Sequence, residues 1–460
     1  MSVDNGNRTN FASKIGLVLA TAGSAVGLGN IWRFPVLAGQ NGGGAFLLIY
    51  IICIILLGLP LMIAEFMIGR HAQSNTATAY ARLTANPLFR NIGKLCVFTG
   101  WFILCYYIVV SAWALNYMVS ALAGTFTTLA MTGNTQVYAD YFSGFVSHPF
   151  MPVVYTLLFI LMSHLVIVKG VKKGIERFSK YMMPLLFIIM LVLCVSSFFT
   201  PAAGEGLSFL FQPDFSKIHV DTVLCALGQA FYSLSLAMGC ICTFASYFNR
   251  ETRLVSTAVK VGVIDSMVAV MSGIVIFPAV FSAHFSVDAG PSLVFIALPN
   301  VFQQVFSAIP AGAYIVSVLF YFLLVLATLT SVVSLHEVPT SYLTERFHLS
   351  RPRATTYVTL SVMLIGSLCA LSMGPLSHLT ICDKNLFDLF DFTSGQVLLP
   401  VGGLLISVFV GWALDRDIIR EQLTNYGTIP AQTMAIIVFL LKYIIPVIIL
   451  LIFLSGLHII

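Results

Sequence analysis

From Ala22 to Arg33 the chain reads Ala-Gly-Ser-Ala-Val-Gly-Leu-Gly-Asn-Ile-Trp-Arg, inside an apolar stretch long enough to cross a bilayer. In hydrocarbon each unpaired backbone group costs several kcal/mol, so a break in a spanning helix persists only against protein or a wet cavity. An unbroken helix would join the Gly23 carbonyl to the Gly27 amide and the Val26 carbonyl to the Asn30 amide. A break around Gly27, Leu28 and Gly29 would free both carbonyls and that of Ala25. Together with the Asn30 side chain these are hard, uncharged oxygen ligands, suited to a weakly bound alkali cation. The amides that open the outer half of the segment form a positive dipole end, suited to a carboxylate. The same glycines also suit close helix packing, a reading that Asn30 and Arg33 weaken.

Other residue types in the apolar stretches extend this chemistry. Ala327, Thr330 and Ser331 stand at helical spacing on one face, where carbonyl and hydroxyl oxygens would complete a cation site; alone, such hydroxyls bond back to their own helix. Asp265 lies within Gly262-Val263-Ile264-Asp265-Ser266, at a depth where a carboxylate is expensive and points to function. It would ligate a cation or balance its charge; a structural ion pair lacks an evident partner, since only Arg33 and Lys442 read as deep basic residues. Glu65 is a candidate hydrogen-bond partner for broken helices. Arg33 with Asp391, and Arg8 with Glu345, stand where two gates would close. Pairs this exposed add little stability, which suits a gate and an incidental surface pair alike.

Composition shows what must position these groups. Of 460 residues 58% are hydrophobic and 9% charged, against roughly 25% charged in an aqueous domain, and the mean hydropathy is +0.96. The chain therefore reads as an all-α integral membrane protein. Apolar stretches lie at 15–38, 43–67, 95–121, 151–168, 181–200, 222–247, 256–281, 312–343, 354–374, 394–414 and 432–459, each near the roughly 20 residues that cross the hydrocarbon core. The stretch 290–310, with Pro291, Pro299 and Pro310, reads as a re-entrant or surface helix. With the N-terminus inside, nineteen Lys and Arg fall on inner segments and two, Lys217 and Lys384, on outer loops. That bias predicts a cytoplasmic N-terminus and, with eleven spans, an outer C-terminus. The net charge of +5 is a topology signal and implies no nucleic acid partner.

Span 6 carries its own interruption at Ser233-Leu234-Ser235-Leu236-Ala237-Met238-Gly239, five spans after the first. An odd offset inverts the second five-span unit relative to the first. Matched interrupted spans point to a midplane binding site between inverted repeats. The organisation expected is a polar segment 1–14, a first repeat 15–200, an inverted second repeat 221–414 and an additional span 432–459. Residues 1–14 do not read as a cleaved leader, because the apolar stretch after them runs too far. The nine cysteines fall mostly inside apolar stretches and read as buried hydrophobes. No nucleophile–base arrangement or catalytic metal spacing suggests an enzyme, and His164 and His336 read as satisfied interface histidines. The outer loop 122–150 is threonine-rich and shows no interpretable motif.

The run Gly23–Pro35, followed by Asn41-Gly42-Gly43-Gly44-Ala45-Phe46, resembles the neurotransmitter:sodium symporter family. So do Gly58-Leu59-Pro60-Leu61 with Glu65 and Gly69-Arg70, Tyr106-Tyr107, Gln229–Ser235 and Leu329-Thr330-Ser331, so that the likeness covers nearly the whole chain. The span count is similar to that of the prokaryotic hydrophobic amino acid transporters of the family. The resemblance implies two sodium sites. One would use Ala25, Asn30, Ser233 and Asp265, with the substrate carboxylate as a further ligand. The other would use carbonyls of Gly23, Val26 and Ala327 and hydroxyls of Thr330 and Ser331. Tyr107 and the amides around Gly27 to Gly29 would hold the substrate carboxylate. Tyr232, Arg33 and Asp391 would gate the outer side. Ile103, Tyr107, Tyr232, Ser235, Met238 and Leu335 would surround the substrate side chain.

Two departures from family patterns refine this. Chloride-requiring members have asparagine where this chain has Asp265 and serine where it has Ala269, which implies chloride-independent transport. Monoamine transporters have aspartate where this chain has Gly27, which implies a whole amino acid as substrate. The expected function is sodium-coupled uptake of hydrophobic or aromatic L-amino acids by alternating access, in the plasma membrane of a prokaryote. A non-transporting amino acid sensor and an ion channel on the same scaffold are the alternatives.

Overall fold

The computed structural model describes residues 11–283, 293–306, 310–430 and 433–457; Arg8 and Pro291 lie outside them. Among the described residues eight helices are long and apolar enough to cross a membrane alone. They are Gly44–Ala72, Pro87–Leu122, Val171–Ser197, Leu254–Ser282, Ala311–Arg346, Arg351–Leu371, Leu386–Ala413 and Met434–Gly456, here spans 2, 3, 5, 7, 8, 9, 10 and 11. Span 1 is the pair Lys14–Ala25 and Gly29–Gln40, bent by 53°, and span 4 is Met151–Ile167, bent by 74° from the helix Gln136–Ser147 before it. Span 6 is split into Val220–Ser233 and Cys240–Ala245. The segment Leu293–Val305 is apolar but too short to cross, as the prolines around it suggest.

Both breaks are visible in the backbone angles. The first helix ends at Ala25 because Val26 turns extended (φ −68°, ψ 112°), and Leu28 returns to helical angles before Gly29. In span 6, Ser235 (φ 53°) and Ala237 (φ 62°) adopt left-handed angles ahead of Gly239 (φ 80°). Such angles cost about 1–3 kcal/mol at a non-glycine residue and need support from outside the segment. Glu65 of span 2 accepts from the Ala237 amide at 2.7 Å. The Ser235 hydroxyl donates 2.7 Å to the Ser24 carbonyl, which ties one broken span to the other.

Besides Arg33 and Lys442, two guanidinium groups at span ends are enclosed by protein. Arg70 is buried at the end of span 2 and donates to Gln422 Oε1 (2.6 Å), the Gln422 carbonyl (2.7 Å), Asn425 Oδ1 (2.9 Å) and the Thr252 carbonyl. Arg351 forms a two-pronged pair with fully buried Glu337 (3.1 and 2.5 Å), and Tyr247 donates to the same carboxylate at 2.6 Å. A buried guanidinium is tolerable only when its donors are satisfied this completely. Span 10 begins at Leu386, not at 394, because Asn385 caps its first turn through the Asp388 amide. The loop 122–150 holds the helices Thr125–Ala130 and Gln136–Ser147. It seats Phe126 and Phe142 in an aromatic cluster with Tyr117, Phe295 and Tyr321. His164 and His336 are satisfied by Thr359 and Ser163, although His336 is fully buried and not at an interface.

Candidate functional site

The two breaks face one buried cavity. Its wall holds Ser24, Ala25, Gly27, Gly29, Ile103, Tyr107, Tyr232, Ser233, Ser235, Met238, Cys240, Ser331 and Leu335. Of the residues that the resemblance assigns to a substrate, all but Leu28 are in this wall. Ser24 and Cys240 were not foreseen; a hydroxyl and a thiol inside the two interrupted runs were the available signal. The free space is about 30 Å³, room for roughly two waters. Admitting anything larger requires the walls to separate.

The released groups of span 1 find partners that a continuous helix would not offer. The Gly27 amide donates to Asn30 Oδ1 at 3.2 Å, and the Leu28 amide donates to the Tyr107 hydroxyl at 3.2 Å. The Gly29 carbonyl accepts from Gln229 Nε2 at 2.7 Å. The Asn30 carbonyl accepts from the Ser272 hydroxyl at 2.6 Å. The Val26 carbonyl is approached by Thr330 Oγ1 at 3.5 Å and Ser331 Oγ at 3.3 Å. Both hydroxyls also lie near the Ala327 carbonyl, at 2.9 and 3.4 Å. Gly23 stands beside them, since a Cβ there would lie 3.5 Å from Thr330 Cβ. Span 8 thus brings a carbonyl and two hydroxyls to the carbonyl end of the first break.

Asp265, fully buried in span 7, gathers a second set. Its carboxylate accepts from Ser233 Oγ (2.6 Å), Asn30 Nδ2 (2.8 Å) and the Tyr50 hydroxyl (3.0 Å). Asn30 Nδ2 also reaches the Asp265 carbonyl (3.0 Å) and Ser233 Oγ (3.2 Å), so three oxygens converge on one nitrogen. Tyr50 is within reach of Ser233 as well, at 3.0 Å. It was missed in the sequence, although a lone hydroxyl among Leu and Ile in span 2 is a recognisable signal. No lysine or arginine is ion-paired to Asp265 among the described residues. Nor do three His, Cys, Asp or Glu side chains converge anywhere among them. The chemistry on offer is one carboxylate among carbonyl, amide and hydroxyl oxygens.

The gate residues are only partly brought together. The Arg33 guanidinium lies over the Tyr232 ring, 4.8 Å from its centroid, a cation–π contact that covers the cavity. Arg33 and Asp391 form no ion pair within 4.0 Å. The Asp391 carbonyl instead accepts from Ser394 Oγ, which also reaches the Tyr106 hydroxyl. At the other end Glu345 accepts from the Asn75 amide (2.7 Å) and Asn75 Nδ2 (2.9 Å). Its expected partner Arg8 is outside the described residues. Beside them Glu176 accepts from the Ala12 amide at 2.7 Å and the Ser13 amide at 3.1 Å, and the Phe11 amide donates to the Tyr247 carbonyl. These bonds seat the start of span 1 against spans 5 and 6.

The sequence model of the Sodium:neurotransmitter symporter family matches residues 8–143 and 142–460. An "uncharacterized sodium-dependent transporter" of Haemophilus influenzae is 34% identical over 99% of this chain and 100% of its own length. Another, of Bacillus subtilis, is 35% identical over 97% of both chains. The sodium- and chloride-dependent taurine transporter of Homo sapiens is 27% identical over 89% of this chain and 72% of its own. The crystal structure of MhsT in complex with L-phenylalanine superposes with a TM-score of 0.87 at 38% identity, covering 98% of this chain and 100% of that one. That likeness extends to the five-plus-five inverted-repeat fold with discontinuous spans 1 and 6.

Proposed function

Because the chain belongs to the Sodium:neurotransmitter symporter family, we propose that the cavity between its two broken spans is the joint sodium and amino-acid site of a secondary transporter. The protein is a multi-pass membrane symporter that couples sodium to amino-acid movement by alternating access, and not an enzyme. The observation that carries this reading is the convergence of the Asp265 carboxylate, Ser233 Oγ and the Asp265 carbonyl on Asn30, beside the Gly27 and Leu28 amides, which bond to side chains and not to helix carbonyls.

We assign one sodium to the oxygens of Ala25, Asn30, Ser233 and Asp265. The Asn30 amide now turns its nitrogen to those oxygens, so accepting a cation there requires it to present Oδ1 instead. A second sodium is assigned to the carbonyls of Gly23, Val26 and Ala327 and the hydroxyls of Thr330 and Ser331. The substrate carboxylate is placed at the Tyr107 hydroxyl and the amides of Gly27 to Gly29, where a helix N-terminus favours negative charge. Its side chain then lies among Ile103, Tyr232, Ser235, Met238 and Leu335. This apolar lining, with the adaptable Met238, favours hydrophobic or aromatic L-amino acids; MhsT, crystallised with L-phenylalanine, supports that class. Apolar pockets discriminate by only about 1–3 kcal/mol per methylene, so a broad range is expected.

Two sodium ions moving with a zwitterion carry two charges, and about 100 mV contributes about 2.3 kcal/mol for each. With the N-terminus cytoplasmic in a prokaryotic plasma membrane, that drive concentrates substrate inside. The test is uptake of radiolabelled leucine, tyrosine and tryptophan into proteoliposomes under a sodium gradient, with gluconate replacing chloride. Sodium-driven accumulation of at least one, undiminished without chloride, is the expected result. Sodium-dependent binding without accumulation would mark a sensor, and sodium current far exceeding substrate flux would mark a channel.

A further inference from the structure

A second cavity, of about 500 Å³, lies away from this site, between the first turns of span 1 and those of span 7. Lys14, Arg253 and Lys260 line it, all exposed, with Ser256 among them. Glu251 is the one acid in the wall, and it forms no ion pair within 4.0 Å among the described residues. Span 7 begins here without a side-chain cap, Arg253 occupying the cap position, and its first turn holds no acid. The uncapped amides and the positive end of a 29-residue helix therefore add to the three cations.

Span 1 supplies an apolar wall of Ile15, Leu17, Val18 and Leu19. Ile15 on span 1 is 70% exposed. On span 7, Ser256, Lys260, Val263 and Met267 share one face by helical spacing. Val263 and Met267 are exposed, so an apolar ridge continues from Lys260 toward the membrane midplane. Cations and an uncapped helix end at the membrane surface, with a bare apolar track above them, match one kind of occupant.

We propose that this cleft binds an anionic phospholipid of the cytoplasmic leaflet. Its phosphate is held by Lys14, Arg253 and Lys260, and its acyl chains lie along Ile15, Val263 and Met267. The assignment rests on the cytoplasmic N-terminus proposed above, because basic clefts on that face meet the anionic leaflet. A lipid there bridges the inner half of span 1 and the start of span 7, below the break at Val26.

The test uses the full-length protein in detergent micelles, titrated with phosphatidylglycerol or phosphatidylcholine, with retained lipid read by native mass spectrometry. The expected result is at least about tenfold preference for phosphatidylglycerol, each Lys or Arg contributing to the attraction. The variant Lys14→Gln/Arg253→Gln/Lys260→Gln loses that preference. Lys169→Gln/Lys172→Gln/Lys173→Gln, which removes equal charge from the same face elsewhere, keeps it. Sodium-dependent leucine binding reports that each variant is folded; if the first is not, Lys260→Glu alone is expected to weaken retention at least about threefold. Equal loss in both triple variants, or equal retention of phosphatidylcholine, would overturn the proposal. Displacement of phosphatidylglycerol by millimolar inorganic phosphate would overturn it too, in favour of a free-phosphate site.

Discussion

Asp265→Asn is expected to weaken apparent sodium affinity about 100-fold, from loss of roughly 3 kcal/mol of buried charge-assisted interaction. The wild-type carboxylate is fully buried and held by three donors, Asn30, Ser233 and Tyr50. Hydrogen bonds shape it but do not neutralise it, and no lysine or arginine is paired with it among the described residues. On the proposed reading a sodium ion supplies the counter-charge. The asparagine keeps the volume, drops the charge and sets its NH2 group against donors. Because the change also removes an unneutralised buried charge, the sodium-free protein is not expected to be less stable. The diagnostic loss is in linkage. A ligand that binds the folded state stabilises it by RT ln(1 + [L]/Kd), so the rise in Tm on adding sodium should shrink to the part that the other proposed site supplies. An undiminished sodium-induced rise would remove Asp265 from the ion site.

The second large effect is expected from Gly27→Ala. A Cβ on Gly27 would lie 2.5 Å from Ser331 Oγ and 3.0 Å from the Tyr107 hydroxyl. Both neighbours would have to retreat, one from the proposed second sodium site and one from the proposed carboxylate site. The backbone at Gly27 is not left-handed, so alanine meets no conformational barrier there and the penalty is steric. Overpacking of this kind costs about 1–3 kcal/mol, and here it falls on binding. A folded protein with roughly 10- to 100-fold weaker substrate binding is the expected outcome, read by equilibrium binding of radiolabelled leucine in saturating sodium. Gly29→Ala is the matched control, because its Cβ would come no nearer than 3.4 Å to Tyr232, and it should change affinity only a few-fold. Equal effects of the two changes would detach the carboxylate from Gly27.

Much of this site was legible because its logic is local. Gly27, Gly29 and Asn30 stand in a stretch where only apolar helix formers are needed, and Asp265 is a charge where none is affordable. The break in span 6 was visible in its small residues, but its left-handed Ser235 and Ala237 were not. Those angles are imposed by Glu65 from span 2 and Ser24 from span 1, contacts 172 and 211 residues away along the chain. Tyr50 was missed for the same reason, since nothing near it in sequence shows that span 2 passes beside Asp265. Arg70 and Arg351 read as cytoplasmic charges counted toward topology. Arg70 is buried against Gln422 and Asn425, and half-buried Arg351 is paired with Glu337, all of which reach them from other elements. Spacing near the membrane surface suggested Arg33 and Asp391 as partners, yet the guanidinium settles on the Tyr232 ring. Long side chains choose among several neighbours, and sequence position does not rank them.

The central claim is that two sodium ions and one amino acid move together, and a null-point measurement tests it most directly. Proteoliposomes clamped at zero potential with potassium and valinomycin would be loaded with labelled leucine, or whichever substrate the uptake panel identifies. The outside sodium would be raised until net flux vanishes. Two-ion coupling predicts balance where the substrate ratio equals the square of the opposing sodium ratio. A balance point that does not move with the sodium gradient would contradict coupling itself.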